Sequence, residues 1–302
     1  MNTPDQRILI SIPEQSLELR SSSGQLLARY PVSTAAKGAG EVQGSYQTPR
    51  GHHIVRAKIG AGQPVNAVFR GRRATGEIWT PALHEQFPDR DWILTRILWL
   101  SGCQPGLNRL GQVDTMRRYI YIHGTPELTR LGHPGSHGCV RMDNGQLIEL
   151  FDRVAAYTPV NIVEFSLMAG NWSAMGKQAL PIREKVFVEE QGVPVEMELD
   201  EFDPQSRHVL ALGTDGAAIG TGRLLPDGHI GRLAVLPEWR GKGVGQALVD
   251  KLLDEATEAG QHQLALHAQC QAAEFYRAFG FAPVGDTFME AGIPHLLMTR
   301  TI

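Results

Sequence analysis

The chain has 302 residues, 42% of them hydrophobic and 20% charged, with a formal net charge of −3 and a pI near 6.4. That length exceeds the usual span of one hydrophobic core and predicts two domains. The charge balance supplies no global basic field, which excludes bulk nucleic-acid binding and favours small neutral-to-anionic substrates.

At the N-terminus, no apolar stretch of signal-peptide length precedes Pro13 and Glu14, so secretion is not expected. Arg7 to Ile12, Ser16 to Arg20, Gln25 to Val32 and His52 to Ala57 are short alternating segments. The turn clusters Ser21-Ser22-Ser23-Gly24 and Lys37-Gly38-Ala39-Gly40 separate them, a rhythm that predicts a β-rich domain. Glu77 to Thr80, Tyr119 to His123 and Val160 to Phe165 read as further strands. The most apolar patch, Trp92 to Leu100, is short and broken by Arg96, so no membrane span is expected. Asn144 to Ala156 carries helical spacing at Leu147, Leu150, Phe151 and Val154, with Asp143 or Asn144 as N-cap.

After Phe165 the texture becomes α+β. Lys177 to Glu190 is a helix candidate, and His208 to Leu212, Ala217 to Leu225 and His229 to Val235 are strands joined by Thr214-Asp215-Gly216 and Pro226-Asp227-Gly228 turns. Gly243 to Ala259 is an amphipathic helix, with Val244, Leu248, Leu252 and Ala256 inward and Asp250, Lys251, Asp254 and Glu258 toward water. A strand, Gln263 to Ala268, and a helix, Ala272 to Phe279, follow. The predicted division is therefore 1–165 and 166–302. Cys103, Cys139 and Cys270 are an odd, widely spaced set without Cys-x-x-Cys, which fits a reducing compartment, and the cytoplasm is the expected location.

A cysteine nucleophile needs a base to make its thiolate and donors for the oxyanion. His123 ends an apolar strand, and His137 precedes Cys139 by two positions, which in a strand puts both on one face. Gly138 lets the backbone approach a carbonyl, the amides around Gly138 and Cys139 are candidate oxyanion donors, and Arg141 offers a fork for a carboxylate. Cys103 reads as an ordinary small hydrophobe, and His52, His53 and His84 have no organised partners. A zinc site through His123, His133 and His137 lacks tight ligand pairs and a well-spaced acidic ligand, so no metal is expected.

His123-Gly124-Thr125, Ser136-His137-Gly138-Cys139-Val140-Arg141-Met142 with Asn144, and the upstream Thr48-Pro49-Arg50-Gly51 together resemble the L,D-transpeptidase catalytic domain, the YkuD-like family, over about residues 7 to 165. The resemblance implies a mostly-β fold in which Cys139 attacks the bond after meso-diaminopimelate in a peptidoglycan tetrapeptide, D-Ala leaves, and a thioester remains. It implies His123 as general base, His137 as its orienting partner, Ser136 and Gly138 around the oxyanion, and Arg141 on the substrate. In the cytoplasm, muropeptides lack the high local concentration of acceptor stems in a cell wall. Water is then the expected acceptor and L,D-carboxypeptidase the expected activity, in muropeptide recycling.

Arg240-Gly241-Lys242-Gly243-Val244-Gly245 stands between a strand and the long helix, where backbone amides and the helix dipole favour an anion. With Arg232-Leu233-Ala234-Val235 before it and Phe275-Tyr276-Arg277-Ala278-Phe279-Gly280-Phe281 after it, the segment 168–302 resembles the GCN5-related N-acetyltransferase (GNAT) superfamily. Val186 to Pro194 and Glu290-Ala291-Gly292-Ile293-Pro294-His295 make it similar to the ElaA-like branch. The resemblance implies an α+β acyltransferase fold and acetyl-CoA as co-substrate. Arg240, Gly241, Gly243, Val244 and Gly245 would then lie on the pyrophosphate, Leu233, Ala234 and Val235 beside the pantetheine, and Tyr276 would act as general acid. Tyr276 reads equally well as a packing aromatic beside Phe275 and Phe279. Cys270 stands where many relatives have Asn, three residues before Ala273. Glu190 and His208 are candidate bases, and the acidic stretch Glu196 to Asp203 reads as a solvated loop.

A bifunctional cysteine peptidase and acetyltransferase, acting on peptidoglycan fragments and a small amine, leads these readings. The alternatives are an acetyltransferase with a non-catalytic muropeptide-binding N-terminal domain, and a non-enzymatic sensor.

Overall fold

The computed structural model describes residues 5–302; the first four residues of the expected 1–165 domain lie outside the described residues. The chain divides into two compact units. One holds residues 5–21 and Leu26–Glu164; the other holds Phe165–Ile302 with the short segment Ser22–Gln25.

The first unit runs β1 (Gln6–Ser11), β2 (Ser16–Ser21), β3 (Leu26–Ser33), β4 (Gly51–Ile59), β5 (Ala67–Arg70), β6 (Arg73–Ile78), α1 (Pro81–Gln86), β7 (Ile93–Gly102), β8 (Tyr121–Gly124), β9 (Val140–Met142), α2 (Asn144–Arg153) and β10 (Pro159–Val163). The strands lie in the order β4-β10-β1-β2-β3-β9-β8-β7-β5-β6, and β4 also pairs with β7, so the sheet closes on itself. Closure covers the free edge of β4, leaves β6 as the remaining edge, and encloses a core of Ile8, Ile10, Leu17, Leu19, Leu98, Leu100 and Ile122 among others, onto which Leu147, Leu150 and Phe151 of α2 pack. The apolar patch around Leu98 is β7, buried for most of its length. The expected strand at Tyr119 begins instead at Tyr121, because Tyr119 takes φ +58 and turns the chain. Asp143 caps α2, its Oδ1 accepting from the Gly145 and Gln146 amides.

The second unit runs β11 (Ser166–Gly170), α3 (Trp172–Arg183) continued by a π-helical turn at Glu184–Glu190, α4 (Val195–Glu198), β12 (Arg207–Leu212), β13 (Ala218–Leu224), β14 (His229–Val235), α5 (Val244–Glu258), β15 (Gln263–Gln269), α6 (Ala273–Arg277), β16 (Ala282–Glu290) and β17 (Ile293–Thr301). Its sheet has the order β11-β12-β13-β14-β15-β17-β16. β14 and β15 are parallel, as the crossover through α5 requires, and their ladder covers only His229↔Ala265 and Ile230↔Leu266 before the strands part. Val244, Leu248, Leu252 and Ala256 of α5 are buried as their spacing requires. Asp250, expected toward water, is buried as well, with the charge of Arg300 to offset it.

The acidic stretch also departs from expectation. Glu198 and Asp203 are buried, and they pair with Arg183 of α3; Arg223 of β13 binds Asp200 at 2.6 Å and Asp203 at 2.7 Å; Arg232 of β14 reaches Asp200 at 3.0 Å. Three guanidinium groups pointing from helix and sheet require counter-charges out of water, and the loop supplies them. Val195, Met197 and Leu199 are exposed in consequence.

His53 also has partners that its sequence context conceals. Its Nδ1 bonds the Gly51 carbonyl at 2.8 Å, its Nε2 lies 3.1 Å from Thr115 Oγ1, and burial pushes its pKa down to about 4. The folded state thus holds a neutral ring, whereas the unfolded chain protonates near pH 6.5. Below that value the unfolded state binds the extra proton, so the stability His53 contributes is lost as pH falls from about 6.5 to about 4, roughly 3 kcal/mol over the window. Urea denaturation at pH 7 and pH 4.5 should show His53→Gln losing about 2 kcal/mol less than the parent between the two values.

Candidate active sites

β8 and β9 run parallel with Ile122↔Val140 and His123↔Arg141 in register. The register places Cys139, one residue before β9, beside Tyr121. Accordingly the Tyr121 amide donates to Cys139 Sγ at 3.4 Å, and the thiol donates to the Tyr119 carbonyl at 3.5 Å. His123 lies two residues along β8 from Tyr121 and is 1% exposed. Its Nδ1 lies 2.8 Å from the Gly124 carbonyl, which can only accept, so Nδ1 carries the proton and Nε2 is left with a lone pair. Burial pushes His123 down to about 4 and the Cys139 thiol up to about 12, the latter only partly offset by the Tyr121 amide. At neutral pH the thiol and the ring are therefore both uncharged. Gly124 is required for space, since a Cβ there would land on Asn144 Oδ1 and 2.7 Å from the Leu94 carbonyl.

The turn ahead of Cys139 is tied from inside. The Ser136 hydroxyl, 2% exposed, donates to the Cys139 carbonyl at 2.5 Å and accepts from the Gly138 amide at 3.1 Å. Thr48, from the Thr-Pro-x-Gly stretch, donates to the Gly138 carbonyl at 3.0 Å and accepts from the Ala35 amide at 3.0 Å. The Gly138 amide is thus committed to Ser136 instead of facing an oxyanion, and Ser136 holds the turn. Gly138 takes φ +127, and the segment before Val140 is not strand. The alternation that would set His137 on the Cys139 face is therefore broken.

His137 is exposed, 3.4 Å from Asp91 Oδ2 and edge-on to Tyr46. Asp91 also accepts from Arg141 at 2.6 Å, while the other arm of Arg141 donates to the Gly135 carbonyl at 3.0 Å. Burial raises the Asp91 carboxyl and Arg141 overcomes it, so the net shift is downward, with His123 within electrostatic reach. Sequence reading passed over Asp91 because it lies far from the motif in an unpatterned loop. It also passed over Arg118, which donates to the Gly40, Glu41 and Gln47 carbonyls at 3.0, 2.8 and 2.6 Å and helps to lower the Cys139 thiol. Cys103 is exposed and stands apart from these groups.

In the second unit, Gly241 and Gly243 take φ +72 and +85, and Gly243 caps α5 with no side chain bonded to its first amides. Those amides and the dipole of a 15-residue helix make an anion seat. Val244 is buried beneath it, and a Cβ on Gly245 would meet Phe275. Arg240 closes on Glu190 with both arms, at 2.7 and 2.6 Å, and its Nε donates to the Val235 carbonyl. That pairing depresses the Glu190 carboxyl, which removes it as a poised base. His208 is buried, bonded to the Asp203 carbonyl at 2.9 Å and packed on Trp172, so it is a core residue. Leu233, Ala234 and Val235 lie where β14 has left β15, with a bulge marked by φ +49 at Arg232. Tyr276 packs between Phe275 and Phe281, and burial pushes its phenol up to about 12, which keeps it protonated. Cys270 opens a 3-10 turn and is half-buried. Among the described residues no three His, Cys, Asp or Glu side chains converge as metal ligands. Nor, among the described residues, is any helix long and apolar enough to cross a membrane.

The two folds define the class: a closed β domain with a thiol on its wall, followed by an α+β domain whose sheet splits beside a glycine-rich helix N-terminus. The YkuD model, the L,D-transpeptidase catalytic domain, matches residues 5–162, and the acetyltransferase (GNAT) domain model matches residues 172–302. The chain belongs to the L,D-transpeptidase catalytic domain family and carries a GNAT acetyltransferase domain after it. The uncharacterized N-acetyltransferase YjcF of Bacillus subtilis (strain 168) is 39% identical over 129 residues, covering 41% of this chain and 91% of that protein. Protein ElaA of Escherichia coli (strain K12) is 34% identical over 131 residues, 41% of this chain and 85% of that one. The crystal structure of Escherichia coli ElaA matches with TM-score 0.42 and 31% identity, over 45% of this chain and 99% of that one.

Ser136→Ala would leave the Gly138 amide and the Cys139 carbonyl without their shared hydroxyl. Chemical denaturation should register a loss of about 1–3 kcal/mol, whereas His137→Gln, at an exposed side chain, should stay within about 0.5 kcal/mol.

Proposed function

We propose that the chain is a bifunctional cytoplasmic enzyme with functional domains 1–165 and 166–302. The first is an L,D-carboxypeptidase of muropeptide tetrapeptides working through Cys139; the second is an acetyl-CoA-dependent N-acetyltransferase. The observation that carries the first half is the seat of Cys139 Sγ against β8, two residues from a buried His123 whose Nε2 is free of its proton. Three unpaired thiols suit a reducing compartment.

The electrostatics constrain the chemistry. Burial holds the thiol protonated and the imidazole neutral, which disfavours a separate proton transfer from Sγ to Nε2. Proton transfer must therefore accompany attack, as the Sγ–carbonyl bond forms and the charge moves onto the carbonyl oxygen. D-Ala then departs with that proton, and water cleaves the thioester with His123 again as base. Arg141, held by Asp91, presents a buttressed cation to the substrate. Soluble fragments lack a dense array of acceptor stems, which supports water as acceptor.

For the second half, the α5 amides beyond Gly241 and Gly243 fit the pyrophosphate, and the unladdered edge of Leu233 to Val235 fits an extended pantetheine. The protonated Tyr276 suits return of a proton to the CoA thiolate.

The raised thiol also favours a second reading, in which the first domain binds muropeptide without turnover. Mass spectrometry of disaccharide-tetrapeptide incubated with the protein separates the two. The expected product is the tripeptide with free D-Ala, lost in Cys139→Ala and slowed about 10²–10⁴-fold in His123→Gln. Dimer in place of tripeptide, with one D-Ala released per cross-link, would instead mark transpeptidation, and binding without any mass change would establish the second reading.

A further inference from the structure

The acetyl-transfer half needs a group to take a proton from the amine, and neither Glu190 nor His208 is placed to do so. A different imidazole is. The β14–β15 ladder ends at Ile230↔Leu266, and His267 is the next residue on β15, at the mouth of the gap along which Leu233 to Val235 lie. Leu264, Leu266 and Ala268 are buried on one side of β15, so alternation turns His267 to the other.

There its Nδ1 lies 2.8 Å from Glu290 Oε2. An ionised carboxylate only accepts, so Nδ1 bears the hydrogen and Nε2 is left as an acceptor. The His229 and Phe288 rings each meet the His267 ring edge-on at 4.8 Å. His295, across from Gln269 on β17, stacks on Phe288 with its Nδ1 bonded to the Ile293 carbonyl. Ala291 and Gly292 form the β16–β17 turn, tightened by φ +48 and +76, and it delivers Glu290, the last residue of β16, to His267. Three histidines and a glutamate thus share one face beside the split.

We propose that His267 is the proton acceptor for a primary amine in acetyl transfer and that Glu290 is its positioning residue; this rests on the acetyltransferase reading above. An incoming ammonium gives one proton to His267 Nε2. The free amine forms the N–C bond to the thioester carbonyl, the C–S bond breaks, and the thiolate takes a proton from the Tyr276 hydroxyl. The second proton shed by nitrogen restores Tyr276, and His267 releases its own to solvent.

The full-length protein is to be tested with acetyl-CoA and four probes: spermidine, lysine, glucosamine and diaminopimelate. CoA release and acetylated product would be measured, with acetyl-CoA affinity read separately by calorimetry. His267→Ala should lose about 10²–10⁴-fold in kcat with acetyl-CoA affinity unchanged, and free imidazole should restore part of the rate. Glu290→Gln should lower kcat more than KM, and Glu290→Asp should recover activity. Wild-type kcat in His267→Ala, or a loss that imidazole does not relieve in a variant that still binds acetyl-CoA, overturns the proposal. So does a wild-type protein that binds acetyl-CoA yet acetylates none of the four amines. Absence of acetyl-CoA binding by the wild-type protein would instead overturn the acetyltransferase reading, and this proposal with it.

Discussion

The first unit depends on the parallel pairing of β8 with β9. That pairing sets the residue before β9 beside Tyr121, and so puts a thiol against a backbone amide two residues from a buried imidazole. Parallel neighbours cannot be joined by a tight hairpin, so the chain between them needs a long connection. That connection carries Ser136, His137 and Gly138, and it must be held from elsewhere. Thr48 and the Ser136 hydroxyl perform that task, meeting the main chain of Gly138 and Cys139, while Arg118 ties down the 40–47 loop that leads into Thr48. Closure of the sheet through β4 and β7 fixes the wall on which all of this rests.

Burial has two consequences for that site. It holds the thiol and the imidazole neutral, which protects a free cysteine from adventitious oxidation but denies it a standing thiolate. A site of this kind discriminates by geometry: only a carbonyl placed to receive the sulfur makes the proton movement worthwhile. Asp91 and Arg141, paired at the rim, would set the charge met by a carboxylate substrate of the kind proposed.

The alternating segments and the long amphipathic helix were legible because their periods are local: β1 to β4, β12 to β15 and α5 lie close to where the pattern places them. The motif around Cys139 was legible because its residues are contiguous. What sequence did not disclose depends on register or on distance along the chain. Asp91 reaches Arg141 across fifty positions, and Arg118 reaches Gln47 across more than seventy. The acidic stretch after Glu196 misled for the same reason, since its partners Arg183, Arg223 and Arg232 sit on three separate elements. Gly138 misled differently: its left-handed backbone breaks a strand that residue spacing alone would continue through His137.

The two domains, unrelated in fold, handle an imidazole in the same way and differ in one respect that matters. Both His123 and His267 have Nδ1 tied to an acceptor, which fixes the tautomer and leaves Nε2 for chemistry. For His123 the acceptor is the carbonyl of the next residue, a dipole that orients the ring but compensates positive charge weakly. For His267 it is the carboxylate of Glu290, a full charge at the same distance. In the proposed reaction of the first domain, a buried ring backed only by a carbonyl suits a proton held briefly while sulfur attacks and returned to the leaving group. A half-exposed ring backed by a carboxylate suits a proton taken from an ammonium and released to water. The partner at Nδ1, more than the histidine itself, separates the two proposed chemistries.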